Sequence, residues 1–182
     1  MALVMPDTSS YVAAIAEKCR DVKHEFALGS VVEYCDALPN GGIFTLGELS
    51  KWDGVQLPMC VGLCGKVLDV SSSPNFQPDY GYGTLWGGKD ATYAFATMSL
   101  SPSAANTLDW SWESLSSMQK TTLTSWWHHF LARYPVVGSL KEYDGWDFSS
   151  IVNADKTGVP PEKAMLVEPV RGADGRLRVT GL

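Results

Sequence analysis

The side chains able to do chemistry in this chain are few and unevenly placed. The stretch "DYGYGTLWGGKDATYAFATM", residues 79–98, sets Tyr80 and Tyr82 in a glycine-rich run ahead of a short segment expected to be helical. A phenol there can face a ligand, donate a hydrogen bond or, once ionised, bind a metal; the alternative is that both tyrosines are loop aromatics. His128 and His129 are adjacent on an expected helix, so both rings cannot meet at one metal, and both are read as solvated flank residues. Cys60 and Cys64 lie four residues apart on an expected strand and turn. At ~3.3 Å per residue that is roughly 13 Å, beyond a disulfide or a shared metal, and free thiols of a reducing compartment are expected.

Larger catalytic patterns are missing. The chain has no G-x-S-x-G, P-loop or H-E-x-x-H. In "GGKDA" the acid Asp90 follows the lysine where a phosphate loop has Ser or Thr, and its charge would repel a phosphate. No enzymatic activity of its own is expected. The net charge of −6 disfavours nucleic acid, whose affinity rests on neutralising phosphates. With 45% hydrophobic and 19% charged residues the 182-residue chain reads as globular, and seven Trp is a heavy aromatic load for a pocket, an interface or core filling. No apolar window approaches the ~20 residues of a bilayer helix, and the first residues have neither a secretory pattern nor an Arg-rich presequence.

The elements that must position these groups follow from periodicity. Val12, Ile15, Cys19, Val22 and Phe26 form a narrow apolar seam on an N-terminal helical arm, with Ser9 or Ser10 as its cap. "LPNGG" is a linker, so the divisions are 1–42, an N-terminal helical extension; 43–140, a central domain; and 141–182, a C-terminal extension. In the domain, Thr45 and Glu48 form a capping box with Phe44 and Leu49 as its staple, and Ser116 and Gln119 form a second box. "MCVGLCGKVLDV" reads as two strands around a Cys64–Gly65 turn, and "SSSPNFQPDYGYG" reads as loop. Asp90 is the expected cap of "DATYAFATM". The longest helix should bury Leu123, Trp126, Trp127, Phe130, Leu131 and Tyr134 on one stripe. In the tail, Tyr143, Trp146 and Phe148 are candidate anchors, and "RGADG" predicts a hairpin turn at Asp174–Gly175.

Four blocks, "FTLGELSKWDG", "GKVLDVSSSPNF", "GGKDAT" and "WWHHFLARYPVVGSL", stand in an order and at distances that together resemble the membrane-associated progesterone receptor family of cytochrome b5-like haem/steroid-binding domains. The resemblance covers residues 44–140. It implies an α+β fold, a mixed sheet with helices walling a pocket, and an insertion, here "SLSPSAANTLDWSWESLSS". It also implies haem held by one tyrosine of the glycine-rich loop, six positions before the basic residue of the Gly-Lys-Asp-Ala block. Six before Lys89 is Gly83, so Tyr82 serves as metal ligand with the loop shifted by one residue, and Tyr80 with a larger shift. Arg133 and Tyr134 match a basic-Tyr pair that borders the family's pocket, and Asp90 matches the acidic residue of the block, a further candidate for binding the cofactor.

Two functional readings result. In the first, the protein is a non-catalytic accessory subunit that docks through its extensions onto partner chains of a larger complex, a mitochondrial respiratory one by analogy, with a vestigial haem pocket. In the second, it is a haem- or sterol-binding module with tyrosine-ligated haem. Either way an intracellular, membrane-peripheral protein without its own transmembrane helix is expected.

Overall fold

The structure is a computed structural model that describes residues 36–55 and 57–152, together with the backbone of two short strands at 170–171 and 177–178. The apolar seam expected at Val12–Phe26, with its cap, lies outside the described residues.

A five-stranded mixed sheet forms the base. Its strands are β1 (Ile43–Phe44), β2 (Cys60–Leu63), β3 (Lys66–Asp69), β6 (Lys89–Asp90) and β7 (Val136–Leu140), in the order β1-β7-β3-β2-β6. The β2–β3 hairpin is antiparallel with Leu63 opposite Lys66, so Cys64 and Gly65 make the turn as expected. Both have positive φ, 49° and 73°, the pair a primed two-residue turn demands. The outer pairings β1–β7 and β2–β6 are parallel. Cys60, Val61, Leu63, Val67 and Leu68 are fully buried, so both faces of the central strands are covered.

Both capping boxes form. Thr45 accepts from the Glu48 N–H and Glu48 returns to the Thr45 N–H at the start of α1 (Leu46–Leu49). Ser116 and Gln119 do the same for α4 (Ser117–Arg133). Phe44 and Leu49, the expected staple, are both fully buried.

Two expectations are corrected. The stretch read as loop contains a tight hairpin, β4 (Phe76–Gln77) with β5 (Tyr80–Gly81), and then the one-turn helix α2 (Gly83–Trp86). Four-residue elements at glycine-rich positions leave no periodicity to read. The helix α3 (Thr92–Thr97) is capped by Ala91, one residue later than expected, because Asp90 is drawn into β6 opposite Gly62.

The tail continues the same body. Tyr143, Trp146 and Phe148 pack against one another and against Trp110 of the insertion, and Ile151 of α5 (Ser149–Val152) is fully buried. The expected C-terminal hairpin is present as β8 (Val170–Arg171) and β9 (Leu177–Arg178), and β9 lies beside β5.

Candidate ligand site

Tyr82 occupies the cap position of α2 with helical dihedrals, φ −71° and ψ −16°. One turn on, Trp86 falls directly over it, and the two rings stack 5.0 Å apart at 10°. Phe76, delivered by β4, meets four rings: Tyr82 at 5.9 Å, Trp86 at 6.4 Å, Phe130 at 6.1 Å and Tyr134 at 6.4 Å. Behind them Phe95 of α3 touches Trp86 at 4.6 Å, Trp126 at 4.8 Å and Phe130 at 5.1 Å. The hairpin, α2, α3 and α4 thus converge on one aromatic cluster. Its floor is buried, with Trp86 1% and Phe130 2% exposed, while Tyr82 and Tyr134 are only partly buried and form its rim.

The rim phenol of Tyr82 receives no hydrogen bond among the described residues, and burial pushes its pKa up. It is therefore a neutral phenol near pH 7. Gly83, which holds the position where the resemblance would place the ligating tyrosine, is buried against the β4 backbone. A Cβ built there falls inside van der Waals contact with the Gln77 carbonyl oxygen. No side chain enters at that position, so the one-residue offset to Tyr82 belongs to the packing of the hairpin itself. Tyr80 is a β5 residue paired with Gln77.

The other predicted site residues divide. Tyr134 is in the cluster: as the C-cap of α4 it turns extended before Pro135, and its ring meets Phe130 at 5.1 Å. Arg133 is exposed at the end of α4 and reaches back to His129, Nη1 to Nδ1 2.9 Å. Asp90 is fully buried, yet its partners lie elsewhere: Oδ1 accepts from the Thr92 hydroxyl at 2.6 Å and Oδ2 from the Tyr143 hydroxyl at 2.7 Å. Burial lifts its pKa to about 6, and those two donors hold it from rising further.

The histidines are a correction. Neither is a freely solvated flank residue. His129 lays its ring edge-on to Trp126 at 5.6 Å, and Nε2 of His128 is buried without a hydrogen-bond partner. Helical angles alone put both on the flank; for His129 the neighbouring Trp126 and Phe130 rings, at 5.6 and 6.0 Å, supply the cover. Leu131, expected inside, is 39% exposed. Among the described residues no group of three or more His, Cys, Asp or Glu could hold a metal, and no helix is long and apolar enough to cross a membrane. Cys60 and Cys64 are both buried, and burial followed by the Asp90 charge pushes the Cys64 thiol well up.

Sequence reading missed Phe76, Trp86 and Phe95, which make the cluster. They come from a two-residue strand and two short helices, and only the "SPNF" turn and the i, i+4 spacing of Tyr82 and Trp86 could have pointed to them.

No family model matches the chain. It is 34% identical over 97 residues to probable steroid-binding protein 3 of Arabidopsis thaliana, a match that spans 52% of this chain and 94% of that relative. The chain belongs to the membrane-associated progesterone receptor family. Membrane steroid-binding protein 1 of Arabidopsis thaliana is 28% identical over 141 residues, 76% of this chain and 56% of its own length. Membrane-associated progesterone receptor component 2 of Rattus norvegicus is 29% identical over 98 residues, 53% of this chain and 45% of its own length. The chain thus spans about half the length of these longer family relatives.

Among solved structures, a hypothetical Arabidopsis thaliana protein described as having a cytochrome b5 like fold is 32% identical. It covers 54% of this chain and 89% of its own, with a TM-score of 0.46. A putative steroid-binding protein from Arabidopsis gives 32% identity, 53% and 94% coverage and the same TM-score.

The family and fold are compatible with haem. The residues in place fit it poorly. The family's tyrosine position is closed at Gly83, the Tyr82 ring lies flat on Trp86, and no donor among the described residues stabilises a phenolate.

Proposed function

We propose that this protein is a non-catalytic binding module for a neutral, flat, apolar molecule of the sterol kind, taken up at the aromatic cluster behind Tyr82 and Tyr134. One observation carries the reading: Phe76, Trp86 and Phe130 present a continuous apolar floor from three different elements, with two phenols at its partly exposed rim. Apolar sites with a few placed polar groups suit such ligands, whose rings gain dispersion and hydrophobic contact without needing charge. The steroid-binding names of the family relatives agree with it. Haem is the less favoured ligand on the closed Gly83 position and the Tyr82 ring stacked on Trp86.

The accessory-subunit reading rested on the two extensions. The N-terminal seam lies outside the described residues, and the relatives' names support steroid binding over a respiratory complex. A mitochondrial location has no support among them. A position at a membrane surface is consistent with the relatives named for membranes.

The test is a titration of the purified protein with progesterone, followed by quenching of tryptophan fluorescence, beside a titration with haemin followed at the Soret band. Saturable quenching by the steroid is expected. A stoichiometric Soret complex with no steroid response would replace this reading with the haem one.

A further inference from the structure

We infer that Trp86 determines specificity at this site: its indole N–H reads a hydrogen-bond-acceptor oxygen, such as a ketone, on the bound ligand. The inference rests on the ligand class proposed above and deepens it.

Trp86 is 1% exposed, and its Nε1 is buried without an acceptor. A buried donor left unpaired is destabilising, and native structures tolerate few such groups without a bound water or ligand to satisfy them. Trp126 and Trp127 also carry buried indole nitrogens without partners. Trp86 is set apart by position. It is the one stacked under the rim phenol Tyr82, and it also touches Phe76, which meets the other rim tyrosine. Trp126 sits beyond Phe95 and packs on His129. The indole is a donor only, so its complement is an acceptor; a ligand hydroxyl or ketone oxygen qualifies, and a hydrocarbon skeleton does not.

Tyr82 and Trp86 are one turn apart on α2, and their parallel stack holds the indole plane fixed. A rigid, pre-oriented donor in an apolar setting discriminates more strongly against a ligand lacking the acceptor than a mobile one does.

The experiment compares progesterone with 5α-pregnane, the same skeleton without ketones, each delivered from cyclodextrin to wild type, Trp86→Phe and Trp127→Phe, the last removing an indole nitrogen that is likewise buried without a partner. Wild type should bind progesterone about tenfold more tightly than pregnane. Trp86→Phe should bring that ratio to within about twofold by weakening progesterone alone, and Trp127→Phe should leave it unchanged. A wild-type ratio within twofold overturns the inference, as does a ratio that survives in Trp86→Phe or vanishes in Trp127→Phe. If Trp86→Phe does not fold, the wild-type ratio decides. Wild type binding neither compound removes the ligand class itself, and the inference with it.

Discussion

The hydroxyl of Tyr143 donates to Oδ2 of Asp90 over 2.7 Å, joining residues 53 positions apart in a fully buried setting. The same carboxylate takes the Thr92 hydroxyl on its other oxygen, and Thr92 Oγ1 accepts the Cys64 N–H at 2.9 Å. One acid thus ties together the β2–β3 turn, the start of α3 and the first turn of the tail. Around Tyr143, the rings of Trp110, Trp146 and Phe148 exclude water and make each of these bonds count for more. The family's acidic residue therefore acts in this chain as a clamp on the tail.

Removing the donor should expose that role. Tyr143→Phe keeps the ring packing and leaves Asp90 with one side-chain donor fewer. The expected loss is about 1–3 kcal/mol, read as a lower urea midpoint at unchanged slope. A midpoint within error of wild type would show that the clamp contributes nothing.

Asp90 also predicts a pH dependence. Its folded pKa is about 6 against an ordinary 3.8, raised chiefly by burial and slightly by Glu142. The folded state therefore binds this proton more tightly than the unfolded chain does. The stabilisation it brings is fully present below 3.8 and is lost as pH rises through about 6. Between pH 7 and pH 5 wild type should gain about 1 kcal/mol relative to Asp90→Asn, which has no such proton to bind. Equal pH profiles for the two proteins in urea would contradict a buried, strained carboxylate.

What could be read from the chain beforehand was what local rules encode. Both capping boxes need only three-residue spacings, Thr45 to Glu48 and Ser116 to Gln119, and both formed. The Cys64–Gly65 turn needs two residues of positive φ, and the buried faces of Trp126 and Phe130 need only a helical period. Asp90 was misplaced because strand pairing with Gly62 outweighed its capping preference. The aromatic cluster was invisible because Phe76, Trp86 and Phe95 come from a hairpin strand and two short helices with no shared period. His129 escapes such rules because its cover by the Trp126 and Phe130 rings depends on neighbours and not on helical angle.

The caps themselves make a quantitative expectation. Ser116→Ala should cost about 1 kcal/mol, since the Gln119 N–H loses its acceptor and the 17-residue helix that supplies Trp126, Phe130 and Tyr134 frays at its start. Ligand binding should fall less than stability, because those rings lie in the last half of the helix. Chemical denaturation and a steroid titration on the same variant separate the two effects.

The last prediction tests the register of the glycine-rich loop. Tyr82 and Gly83 are adjacent, and their positions make opposite demands. The Tyr82 hydroxyl has no hydrogen bond among the described residues, so Tyr82→Phe keeps the stack on Trp86 and should change stability by no more than about 0.5 kcal/mol. Gly83 presses on the Gln77 backbone, and backbone cannot swing aside as a side-chain tip can. Gly83→Ala should therefore cost about 2 kcal/mol or more, close to the upper range for overpacking. It should also loosen the Phe76–Tyr82 contact and weaken steroid binding, because Phe76 reaches the cluster only through that hairpin. Urea titrations of the two variants give the comparison. An alanine at 83 as stable as wild type would mean that the loop has room at the family's tyrosine position. The offset to Tyr82 would then be a feature of the sequence alone, and haem ligation there would regain its standing.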